Sequence, residues 1–282
     1  MDSSSKTLSC INLSRILPIS KLEQNINAIS SLVYSEDETL ESFLQKVDQP
    51  LLIRHEKGGF ICCEYNRDGD SYRYPGTTEY YPAIEGGSVP SAKLMELERT
   101  LNEIFKVYTN FYYTGVSTTN NITSSVYCYE LDEGNANVFV VAVLIKNKIE
   151  ESFNKGTNGI WEASNLITVD IDEDSKEVCY DLISSVNVYL NAPLQSGNKS
   201  QLTVSGSMTK NMKEKTKFEG DEPDLQFHTE HIGMLVENLE TRIRDEIEVI
   251  YFQKTTQIVG TARYNGDTHS NIENIRNITA NI

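Results

Sequence analysis

Asn66, Asp68 and Asp70 alternate along NRDGDSYRYPGT, the spacing with which oxygen ligands open a calcium loop. Such a loop also needs a glycine at its sixth position for a sharp turn and a bidentate glutamate at its twelfth. Ser71 and Thr77 stand there instead. DIDEDSKEVCYD, from Asp170 to Asp181, departs at the same two places, so both segments read as acidic turns. His228 and His231 lie three apart near a helix start and could present two metal ligands on one face, but no neighbouring cysteine or further histidine completes a set. They read as a satisfied or solvent-facing pair. His55 and His269 are isolated. Neither a nucleophile elbow, nor a phosphate-binding glycine loop, nor a cysteine–histidine arrangement occurs. The residues therefore assign no catalytic group, no metal site and no cofactor, and they favour a binding protein over an enzyme.

One cationic cluster remains. TKNMKEKTK places Lys210, Lys213, Lys215 and Lys217 close together, between the expected sheet and the expected long helix. Its ordinary reading is solvated surface; its functional reading is contact with an acidic protein or lipid head group. The whole chain carries a net charge of −16 with a pI near 4.7, which argues against general binding of nucleic acid or anionic membrane. Five cysteines, an odd number without a Cys-x-x-Cys pair, read as reduced thiols of a cytosolic protein. MDSSSKTLSC lacks a signal-peptide core, and the longest apolar run, VFVVAVLI, is too short to span a bilayer, so no transmembrane segment is expected.

The elements that would position these residues follow from periodicity. Three short helices open the chain. The first bears Leu8, Ile11 and Leu17. The second starts at a Ser20/Glu23 capping box and bears Leu22, Ile26, Ile29 and Val33. The third starts at Ser35/Glu38 and bears Leu40, Phe43, Leu44 and Val47. Each is too short to stand alone, so a three-helix bundle over residues 1–50 is expected. Residues 51–117 read as an irregular module of Gly, Pro and Tyr, followed by a helix after Pro90 with Leu94, Leu97, Leu101, Ile104, Tyr108 and Phe111 at helical spacing. Residues 118–212 read as five strands, around 125–131, 137–146, 166–171, 177–190 and 201–208, joined by turns with no helical crossover: an antiparallel meander.

Residues 213–260 read as a loop and one long helix. From Ile232 to Val259 the apolar residues Ile232, Leu235, Leu239, Ile243, Ile247 and Ile250 keep one stripe, with charges opposite and neither Pro nor Gly in the middle of the run. Running from about His228 to Gly260, it reaches roughly 50 Å at 1.5 Å per residue, more than a small core needs. Residues 261–282 follow as an arm, with Ile272, Ile275, Ile278 and Ile282 three or four apart. Burying four isoleucines yields roughly 6–12 kcal/mol. Ordering about ten residues costs a comparable amount, so the arm alone binds weakly. The fold class is α+β: helical bundle, irregular module, five-stranded antiparallel sheet packed by a long helix, and a short amphipathic tail.

Six segments stand in one order: VDQPL at Val47, CCEYNRDGDSYR at Cys62, PSAKLMELE at Pro90, SSVYCYELDEG at Ser124, GSMTKNM at Gly206 and the long-helix run at Ile232. In these the chain resembles the β-subunit family of the heterodimeric F-actin capping protein, CapZ, over most of residues 8–263. The resemblance implies a cytoplasmic, cytoskeletal protein with no catalytic step, calcium-independent. An α and a β subunit, their sheets joined beneath antiparallel long helices, block subunit addition and loss at filament barbed ends. It implies Ile272, Ile275, Ile278 and Ile282 as a face for an actin cleft, Arg263 and Arg276 as salt-sensitive contacts, and the long-helix stripe as packing for sheet and partner. It also implies regulation by acidic phosphoinositides and capping-motif proteins, which no residue here singles out. The residues leave open whether the partner is an α subunit or a second copy of this chain. They also leave open whether the filament is actin or another actin-like polymer of the dynactin type.

Overall fold

A computed structural model describes residues 10, 22–32, 51–113, 122–131, 137–150, 158–193, 201–250 and 253. The chain divides into two compact units, Met1–Leu239 and Glu240–Ile282, each described by itself.

The centre of the first unit is a five-stranded antiparallel sheet of β6 (Ile122–Glu130), β7 (Val138–Glu150), β8 (Asn158–Asp172), β9 (Glu177–Pro193) and β10 (Gln201–Lys217), in the order β10-β9-β8-β7-β6. This is the expected meander. The register aligns Phe139 with Val169 and Val141 with Ile167, and across the next ladder Val169 with Tyr180 and Ile167 with Leu182, all buried. One residue of slip would turn that whole set to the other face. VFVVAVLI explains itself here: every residue from Phe139 to Ile145 is buried, because β7 is covered on both faces and needs no alternation. The β8–β9 turn is set by Asp172, whose Oδ1 accepts from the backbone N of Asp174 at 3.0 Å and of Ser175 at 3.1 Å.

Two strands outrun their expected limits. β8 begins at Asn158 rather than near Leu166, because NGIWEASN lacks the β-branched alternation that marks its second half. A Cβ on Gly159 would meet the Tyr189 carbonyl oxygen at 2.7 Å, so only glycine allows this approach to β9. β10 continues nine residues past Met208, through TKNMKEKTK, to Lys217. The expected boundary between sheet and loop at 212/213 falls inside this strand. Lysines on a solvent-facing edge satisfy strand geometry without the apolar alternation that signals a strand.

The module before the sheet consists of a hairpin, β1 (Leu52–Arg54) with β2 (Phe60–Cys62), and a small sheet of β3 (Arg67–Asp68), β4 (Ser71–Arg73) and β5 (Tyr80–Tyr81). It covers one face of the main sheet, where Ile61, Tyr127 and Leu144 pack with Leu51, Ile53, Cys63 and Tyr65 around them. Of the expected three-helix bundle, the described residues contain α1 (Leu22–Leu32), with Ile26 and Ile29 buried; the first and third helices lie outside the described residues. α2 (Ala92–Tyr112) buries Leu94, Leu97, Leu101 and Phe105 and lies along β6. α3 spans 225–250 and starts three residues before His228, where the Asp224 carboxylate accepts from Phe227 N at 2.7 Å as an N-cap. In the first unit its Ile232, Leu235, Val236 and Leu239 are buried.

In the second unit, Ile243 and Ile247 are buried, Ile250 is 39% exposed, and the fully buried Glu240 pairs with Arg244 at 3.1 Å. Residues 261–282, the expected arm, lie outside the described residues.

Candidate functional site

NRDGDSYR builds a joint, not a ligand loop. Asn66 is buried; its Oδ1 accepts from Cys63 N at 2.9 Å and its Nδ2 donates to the Arg73 carbonyl at 2.8 Å. Asp68 accepts from Ser88 N at 3.1 Å. Two of the alternating oxygens are thus engaged by the chain's own backbone. Among the described residues no group of three His, Cys, Asp or Glu could hold a metal ion.

Arg73 ends the motif and points inward. Its guanidinium donates to both carboxylate oxygens of Glu98 at 2.7 Å each, to the Thr77 carbonyl at 3.0 Å, and lies 5.8 Å from the Tyr127 ring centre. Burial works hardest against its charge, but the Glu98 hydrogen bonds and charge outweigh it and raise the Arg73 pKa. Glu98, fully buried on α2, also accepts from Gly76 N at 2.6 Å and Cys128 N at 2.7 Å. One carboxylate therefore ties module, helix and sheet together.

The outer edge of β6 is sealed by the same helix. Asn102 donates to the Val126 carbonyl and accepts from its N–H, both at 2.9 Å, standing in for a neighbouring strand, and Glu98 takes Cys128 N two residues on. At the other edge, β10 has no strand on its outer side among the described residues. Sequence periodicity marked α2 but not this sealing, because a polar residue at 98 or 102 looks like any interruption of an apolar face.

Of the lysines singled out, Lys213, Lys215 and Lys217 share one exposed face of β10, while Lys210 faces the other way and is half-buried. Lys213 pairs with Asp181 at 3.3 Å and Lys217 with Glu177 at 3.8 Å across the ladder, so much of the stripe's charge is answered within the sheet. The histidines are satisfied, as a pair without further ligands should be. His228 Nδ1 lies 2.9 Å from the Tyr180 hydroxyl, and burial pushes its pKa down to about 4. His231 stacks on Tyr180 with ring centres 5.6 Å apart and lies 3.7 Å from Glu214. Burial also raises the thiols of Cys62, Cys63 (to about 12) and Cys128, which keeps them protonated and unreactive.

The stripe expected to pack on the long helix, Ile232, Leu235, Leu239, Ile243 and Ile247, is buried already in the single chain, with Ile250 at its exposed end. Ile272, Ile275, Ile278, Ile282, Arg263 and Arg276 lie outside the described residues. No described helix is long and apolar enough to cross a membrane.

One edge sealed by a helix, one edge with no outer strand among the described residues and a charged motif spent on internal joints define an α+β protein. The family profile described as F-actin capping protein, beta subunit matches residues 7–259, and the chain belongs to that family. It is similar to the F-actin-capping protein subunit beta of Dictyostelium discoideum, at 33% identity over 278 residues, covering 97% of this chain and 94% of the relative. The Drosophila melanogaster subunit is 33% identical over 256 residues, covering 90% and 85%. Among solved structures, the homodimeric actin capping protein alpha subunit from Plasmodium berghei superposes with a TM-score of 0.49 at 15% identity, covering 85% of this chain and 90% of that one.

Proposed function

We propose that this chain is the β subunit of a heterodimeric capping protein that, paired with an α subunit, binds the barbed ends of actin filaments and blocks subunit addition and loss. It works in the cytoplasm with the actin cytoskeleton, without a catalytic step and without calcium. The family match over residues 7–259 carries this reading. The β10 edge, which has no strand on its outer side among the described residues, supports it physically, since its backbone would continue the sheet into a second subunit. With the α3 stripe buried within the chain, the partner's share of that helix falls to its exposed flank, including Val249 and Ile250.

The arm supplies the filament contact in this reading. Ile272, Ile275, Ile278 and Ile282 enter an apolar cleft on terminal actin, and Arg263 and Arg276 add salt-sensitive contacts. Tethering to a second contact raises the arm's effective concentration and offsets its weak intrinsic binding. A seeded actin-elongation assay, run with the chain alone and with a candidate α subunit, tests the assignment. The pair should stop barbed-end growth equally with and without a calcium chelator, and unchanged elongation rates would refute it. Deleting residues after Tyr264 should leave assembly intact and speed release from filaments. Equal capping by the truncated dimer removes the arm's role.

A further inference from the structure

The start of α3 is held down by an aromatic box that contains one buried imidazole. His228 is 7% exposed and meets Phe139 of β7 at 5.5 Å between ring centres, Tyr180 of β9 at 6.1 Å and Phe227 at 6.0 Å. Phe227 in turn packs on Phe218 at 6.4 Å and on His231 at 4.5 Å. Burial raises the Tyr180 pKa, so the phenol keeps its proton, and its hydroxyl shares a hydrogen bond of 2.9 Å with His228 Nδ1 while the imidazole is neutral. A second proton would place a full charge inside this box.

The surroundings give that charge little help. From α3 and its cap come Asp224, which favours a charged ring, and His231, whose own charge opposes it. β9 contributes only the Tyr180 phenol, and β10 contributes Glu214, 3.7 Å from His231 Nδ1. β7 offers Phe139, which is uncharged, and Lys176 sits over Phe218, a ring removed from Phe227. Burial remains the largest influence and holds the ring neutral.

We propose that the first turns of α3 are an acid-released latch: protonation of His228 frees residues 225–236 from the β7–β10 face while the sheet itself stays folded. The sign follows from linkage. The open state binds a proton at the ordinary histidine pKa of 6.5 and the latched state at about 4, so between those values acid favours opening. Relative to pH 7, the opening constant should rise about threefold by pH 6 and about twentyfold by pH 5, and level off at about 200-fold below pH 4. This inference stands whether or not the chain caps filaments.

Hydrogen exchange on the full-length protein at pH 7, 6 and 5, corrected for intrinsic rates, reads the latch directly. Amides of 228–236 should lose protection by those factors while those of 139–145 do not, and His228→Gln, which keeps an acceptor for Tyr180, should flatten the response. Unchanged protection in the wild type, parallel opening of the sheet, or the same pH response in His228→Gln each overturns the proposal. Should that variant fail to fold, NMR titration of the four wild-type histidines decides. A His228 ring that stays neutral down to pH 5 supports the latch, and a midpoint near 6.5 refutes it.

Discussion

The two edges of the main sheet are finished in opposite ways. At β6, side chains of α2 take the places a neighbouring strand would fill: Asn102 pairs with both backbone groups of Val126, and Glu98 takes Cys128 N. At β10, seventeen residues run along an edge with no outer strand among the described residues, and Lys213, Lys215 and Lys217 stand exposed on it. The sealed edge is expensive to build, since it buries a carboxylate that must bring Arg73 with it. Lysines on an open edge cost little and deter indiscriminate pairing while leaving the backbone available. An edge closed permanently and an edge guarded loosely differ in purpose: the first belongs to the chain's own core, and under the proposed function the second is where a partner subunit joins.

Four variants press on that contrast. Glu98→Ala should do the most damage, because it strands the buried Arg73 charge and orphans Gly76 N and Cys128 N; roughly 3–5 kcal/mol of stability should be lost, read as a shift in denaturant midpoint. The double variant Arg73→Met, Glu98→Met should recover part of it, and a double as unstable as the single would mean that the charge pair is not the joint. Asn102→Ala leaves the Val126 N–H and carbonyl without partners and should cost roughly 1–3 kcal/mol. Replacing Lys213, Lys215 and Lys217 together with serine should leave the melting temperature within scatter, because their ion pairs are exposed. Light scattering should nevertheless show more self-association of the isolated chain. If that triple variant stays as monodisperse as the wild type, the lysines are not guards.

What could be read from residue order follows the same division. The meander was visible because β6, β7 and β9 alternate or run apolar between turn residues, and α2 because Leu94, Leu97, Leu101 and Phe105 keep helical spacing. The first half of β8 and the second half of β10 were not, since their neighbours, not their composition, make them strands. The Arg73–Glu98 joint spans twenty-five positions and leaves no periodic trace. NRDGDSYR was conspicuous for its charge, yet its polar atoms serve the fold. The family's motifs were legible as a set, while the contacts proposed for Ile272, Ile275, Ile278 and Ile282 lie outside the described residues.

Under the proposed function, quantity control follows from a β10 edge that has no outer strand among the described residues. Its lysines begin at Lys210, so the stretch from Gln201 to Met208 carries no charge at all and is the less protected half. Copies made in excess of whatever covers that stretch would offer one another a ready template and clump, or be cleared by proteases. With the partner proposed above, a cell using this chain has reason to match the synthesis of the two subunits.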